Sequence, residues 1–148
     1  MPCMCAAVVG GLGQLAALVG LARAAVDGDR AATAAMARRV LAATSDPADR
    51  RSQLAQAFLA WATDDPIEAA RGFAAVQPSA PDAPWWRQMV TIDAIIGAAL
   101  AAAATGSAPR ARAYLDRAAQ LAAGQLASAP ILIGHRVEAI ATLRDRLP

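Results

Sequence analysis

Proline punctuates this chain at helix-start positions, and that constrains the fold more than any other feature. Asp46-Pro47, Asp65-Pro66, Ser107-Ala108-Pro109 and Ser128-Ala129-Pro130 each place a capping side chain just ahead of a proline. The side-chain oxygen can accept from an N–H group that the first helical turn leaves without a partner, and proline in that turn has no N–H to satisfy. Four such signals mark four helix starts, and Asp82 ahead of Ala83-Pro84 marks a fifth. Asp27-Gly28-Asp29 and Thr105-Gly106-Ser107 read as tight turns between helices. Helices are predicted over 12–26, 30–44, 47–63, 66–76, 83–104, 108–123 and 130–146. Connections this short force successive helices to pack as neighbours. The expected fold is all-α: antiparallel hairpins at 12–44, 47–76 and 83–123 stack as a short α-solenoid behind a tail at 1–11. The link at 77–82 reads as a flexible joint.

Composition agrees with this reading. The 148 residues suffice for one domain with a real core, and more than a quarter of them are Ala, the residue that enters a helix at least cost. The mean hydropathy of +0.34 therefore reflects alanine more than bulky side chains. All 14 basic residues are Arg, which reads as genomic nucleotide bias rather than chemistry. A net charge of +2 with interspersed acids does not call for nucleic acid. In the last segment Ile133, Val137, Ile140, Leu143 and Leu147 share one helical face, away from Arg136, Glu138, Arg144 and Asp145. One polar side is what a helix needs to cap the open end of a stack.

Other chemistries find little support. Cys3 and Cys5 are too close in sequence to pair well, and His135 is the only histidine, so neither a disulfide nor a metal site is expected. Gly11, Gly13 and Ala16 have the spacing of a dinucleotide-binding turn, but an Ala-rich helix follows where a strand ending in an acid is required, so no cofactor is expected. Ser and Thr are few and no nucleophile has a base near it in sequence, so the chain reads as non-enzymatic. Arg38-Arg39 and Arg50-Arg51 flank one loop, where Asp46 and Asp49 are at hand to meet them. The uncharged stretch 6–22 is barely long enough to span a bilayer and is interrupted by Gln14, so it reads as a packed first helix.

Gly106, Ala111, Leu115, Ala118 and Leu121 alternate small and bulky positions across a turn and the helix after it. Ala57, Ala69 and Phe73 repeat the pattern around Asp64, with Val76 at a small-residue position, and Ala32 and Met36 trace it around Gly28. The arrangement resembles the tetratricopeptide (TPR) repeat. Asp65-Pro66, Ala69-Ala70, Phe73, Pro81-Asp82-Ala83-Pro84-Trp85, Arg87 and Val90 are also similar to the TPR region of cytochrome c maturation factors. Helical arrays of bacterial transcription regulators look similar too. The resemblance implies a protein-binding scaffold whose partner is a protein or peptide held in a concave groove; the alternatives are a membrane-anchored assembly factor or the helical-repeat fragment of a bacterial transcription regulator. The expected location is cytoplasmic, where two unpaired cysteines stay reduced. The resemblance points Arg51, Leu54, Phe58, Trp61, Asp93, Ile96 and Leu100 inward. Leu54, Phe58 and Trp61 form an i, i+4, i+7 stripe that reads either as core or as recognition surface. Asp93 is the sole charge between Met89 and Ala104 and is expected to face solvent, an arginine or a ligand. Trp85 or Trp86 is expected to staple the link to the preceding hairpin.

Overall fold

The computed structural model describes residues 16–148. Cys3, Cys5, the predicted tail, the Gly10-Gly11-Leu12-Gly13 turn and most of the uncharged stretch lie outside the described residues. Those described form seven helices and no strand, which meets the all-α expectation. They are α1 (Ala16–Val26), α2 (Arg30–Ala43), α3 (Arg50–Trp61), α4 (Pro66–Ala74), α5 (Trp85–Ala104), α6 (Ala108–Gln125) and α7 (Pro130–Arg146).

Side-chain caps set the starts of α2, α3 and α4 but not those of α5, α6 and α7. Asp65 accepts from the Ile67 N–H at 2.8 Å with Pro66 in the first turn of α4, as predicted. Asp29 does the same for α2, accepting from Ala32 N–H at 2.9 Å. The Asp46-Pro47 signal behaves differently. Asp46 accepts from Ala48 N–H at 2.8 Å within a turn, and the helix waits for Asp49, which accepts from Arg51 N–H at 2.7 Å. The predicted start at Pro47 is thus corrected to Arg50. Ser107 sits at the N-cap of α6 without a side-chain capping bond, Ala129 rather than Ser128 caps α7, and Pro84 caps α5. There the prolines set the backbone and the side chains ahead of them contribute no cap.

Two inter-helix turns share one construction. Gly28 and Gly106 have φ of 73° and 79°, the left-handed region that side chains disfavour. Around them Asp29 N–H donates to Ala24 and Gly28 N–H to Ala25, while Ser107 N–H donates to Ala102 and Gly106 N–H to Ala103. This is the Schellman closure of a helix C-terminus. The α3–α4 turn has Asp64 where the repeat pattern has glycine. It is held instead by Arg30, which reaches from α2 to the carbonyls of Trp61 (2.9 Å) and Thr63 (3.0 Å) and to the Asp64 carboxylate (3.3 Å).

From α2 onward each helix packs on the next in sequence, and α3 also touches α5 and α5 touches α7. One core cluster joins α5, α6 and α7 through Ile92, Ile95, Leu115, Ile133 and Ile140. Another joins α1, α2 and α3 through Leu21, Ala37, Val40 and Ala55. On α6 the buried stripe is Ala111, Leu115, Ala118 and Ala122; the first three were anticipated above, while Leu121 is half-buried and Ala122 takes the next buried position. Val137 departs from its predicted buried face and is 39% exposed. Ile133 and Ile140, two turns apart, carry the buried seam of α7, and Val137 falls on the flank beyond it.

The link before α5 is fastened rather than loose. Ser79 N–H donates to Thr91 Oγ1 at 3.0 Å, Ser79 Oγ to the Arg87 carbonyl at 3.1 Å, and Gln88 Nε2 to the Ala80 carbonyl at 2.7 Å. Gln88 and Thr91 are buried, so the two bonds that use them are partly shielded from water, while the Ser79–Arg87 bond is exposed. Among the described helices α5 alone is long and apolar enough to cross a membrane, and more than half of that stretch is buried inside the protein.

Candidate interaction cleft

Leu54, Ala57, Phe58 and Trp61 stand at i, i+3, i+4 and i+7 of α3 and so share one face. Val90, Asp93, Ile96, Gly97 and Leu100 do the same on α5. The two faces enclose a cavity of about 440 Å³, with Phe73 of α4 and Ala25 of α1 completing its wall. Phe73 reaches that position because residue 97 has no side chain. A Cβ there would lie 2.4 Å from the Phe73 ring. Gly72 gives α4 a similar close approach to α3, since a Cβ would lie 2.8 Å from the Ala60 Cβ.

Six of the seven residues singled out by sequence meet in this cavity: Leu54, Phe58, Trp61, Asp93, Ile96 and Leu100. Arg51 does not. Its Nε donates to Asp49 Oδ1 at 3.0 Å and its Nη2 to Oδ2 at 2.9 Å, so the capping carboxylate two residues upstream captures it. The side-chain and backbone hydrogen bonds from Arg51 lower the Asp49 pKa to about 2. The same carboxylate raises the Arg51 pKa. Ala25, Ala57, Phe73, Val90 and Gly97 were missed. Ala57 and Val90 continue the helical spacing and were within reach of the sequence. Phe73 enters only through the packing of α4 on α5.

The choice between core and recognition surface divides by residue. Phe58 packs at the edge of the α1–α3 core. Trp61 and Leu100 stand at the rim, 41% and 50% exposed. The Arg30 guanidinium lies 5.6 Å from the centre of the Trp61 ring and fixes one side of it. Asp93 finds an arginine, as its isolation demanded: Arg136 Nε and Nη2 each lie 2.7 Å from one of its carboxylate oxygens. Arg136 had been assigned to the outward side of α7. Its Nη1 also donates to the Leu132 carbonyl at 2.8 Å, which turns the side chain toward α5.

A second cavity, of about 460 Å³, opens where α3 and α5 begin, and Arg50, Arg51, Gln53, Ser79, Arg87 and Val90 are among its walls. Trp86 anchors this end. The guanidinium groups of Arg50 and Arg87 lie 4.3 Å and 5.2 Å from the centre of its ring, so Trp86 ties the first turn of α5 to that of α3. Trp85 packs against the α5–α7 core instead. Among the described residues no three His, Cys, Asp or Glu side chains gather as a metal site. No protein-family model, curated protein or solved structure matches the chain.

Proposed function

We propose that this chain is a non-enzymatic interaction module, a short TPR-like stack of helix hairpins closed by α7, that holds a segment of a partner protein between α3 and α5. The observation that carries the reading is the apolar cavity with Trp61 and Leu100 at its rim. Large apolar side chains left at the mouth of a concave site are what protein recognition uses, since covering them with a partner recovers hydrophobic free energy that folding left unused. The contacts of α3 with α5 and of α5 with α7 support the stack, because alternate helices must meet if hairpins are laid side by side along one axis. The repeated glycine turns at Gly28 and Gly106 support it as well.

The test compares affinity capture from the native source with thermal unfolding. Trp61→Ala and Asp93→Ala are expected to weaken partner capture while shifting the melting temperature by only a few degrees. A large loss of melting temperature in Trp61→Ala would assign that side chain to the core, and undiminished capture by both variants would remove the cleft as the binding surface.

A further inference from the structure

We propose that the partner segment held in the cleft has two parts: an apolar stretch lying along α3 and α5, and an acidic stretch passing the first turns of those helices, its carboxylates received by Arg50 and Arg87. The inference rests on the cleft being a peptide groove and adds the chemistry of what fills it. Val90 lines both cavities, so the apolar and basic sites adjoin along the same pair of helices.

The charges of the second cavity are uneven. Among the described residues Asp49 is the one acid that lines it, and both its oxygens are engaged by Arg51. Of the three arginines that line this cavity, Arg51 meets the Asp49 carboxylate, whereas among the described residues Arg50 and Arg87 meet none. Both converge on one indole ring instead. Stacking on an aromatic face restrains a guanidinium while leaving its N–H edge free for a carboxylate, so less side-chain entropy is lost on binding. Two like charges held near one ring repel, and an anion placed between them relieves that repulsion. The first turns of α3 and α5 lie at this same end, and the partial positive charge of helix N-termini adds to the field.

An apolar segment without acids would fill the first cavity and leave this field unmatched. The chain's own first fifteen residues contain neither Asp nor Glu, so they lack the chemistry the second cavity asks for. A partner with an apolar stripe running into Asp or Glu matches both halves.

The experiment is a selection of random 16-residue peptides displayed against the immobilised full chain, run in parallel on four proteins confirmed as folded by circular dichroism: the wild type, Arg50→Gln/Arg87→Gln, Arg50→Glu/Arg87→Glu and Trp61→Ala/Leu100→Asp. The wild type is expected to enrich peptides with apolar residues at helical spacing and Asp or Glu clustered at one end. The Gln pair should keep the apolar preference, lose the acidic one and bind a wild-type-selected peptide about tenfold more weakly. The Glu pair should turn the preference toward Lys and Arg. Apolar enrichment without acidic enrichment, or acidic enrichment unchanged in the Gln pair, overturns the two-part partner and leaves the cleft reading standing. An absence of enriched peptides, or enrichment indifferent to Trp61→Ala/Leu100→Asp, overturns the cleft reading and this inference with it.

Discussion

Gly97 and Gly134 are both helical glycines, yet they respond to opposite forces. A methyl group at 97 collides with the Phe73 ring, whereas one at 134 meets nothing within 4 Å. Gly97→Ala is therefore expected to destabilise the fold by about 1–2 kcal/mol, since overpacking outweighs the gain in helix propensity. Gly134→Ala should stabilise it by about 0.5–1 kcal/mol. Urea unfolding of the two variants measures both, and equal shifts would mean that Phe73 moves aside freely. At Asp49 the relevant force is electrostatic. Folding lowers this carboxyl from its ordinary 3.8 to about 2, so its contribution is fully present above pH 4 and is lost as the pH falls toward 2. In Arg51→Gln the midpoint should return toward 3.8, read from the Asp49 carboxyl carbon by NMR titration; an unmoved midpoint would show that Arg51 is not its partner in solution.

At the scale of the helix, the chain carries more start signals than it uses. Asp65 caps α4 by accepting from the Ile67 N–H, while Ser107 stands in the equivalent place before α6 without making the bond. Asp65→Ala should cost about 1 kcal/mol and Ser107→Ala close to nothing, compared by thermal unfolding under identical conditions. Similar losses would mean that Ser107 caps α6 after all. The Asp46-Pro47 signal shows why such motifs locate a helix only to within a turn. An Asx turn and an N-cap use the same side-chain oxygen, and which amide it finds depends on where the following residues are packed. Here Ser52, buried on α3, lies 2.7 Å from the Thr44 hydroxyl and 2.9 Å from the Asp46 carbonyl, and these contacts hold the loop against the helix that begins after it.

Over the whole molecule, Asp93 and Arg136 join helices 43 positions apart in sequence at one edge of the cleft. Both are partly exposed, at 48% and 21% of their side-chain surface, so the coupling is that of a well-formed surface pair. A double-mutant cycle of Asp93→Asn and Arg136→Gln in urea is expected to give about 0.5–1 kcal/mol, and a coupling of zero would mean that the pair does not hold α7 to α5 in solution. The face that Leu54, Phe58 and Trp61 share was legible from their spacing alone, and so was the isolation of Asp93. That Arg136 would answer Asp93 was not legible, because Arg136 lies on an otherwise outward side of its helix. Arg51 was misplaced by the groove register, although Asp49 had been read as an acid at hand to meet it, and that local pairing wins.

What the sequence determined by itself is the class of the fold, the number of predicted helices and most of their turns. Those depend on interactions within a few residues: alanine's low cost in a helix, proline's fixed φ, glycine's access to positive φ and the reach of a capping oxygen. The tertiary structure alone decided which exposed side chains meet. Phe73 fills the space Gly97 leaves, Trp86 draws Arg50 and Arg87 together, and Asp93 finds Arg136. Each of these contacts joins separate helices, or a helix to its neighbour through a shared ring. Helical period fixes the direction of a side chain from its own axis, but the distance between two axes depends on how all the intervening side chains pack.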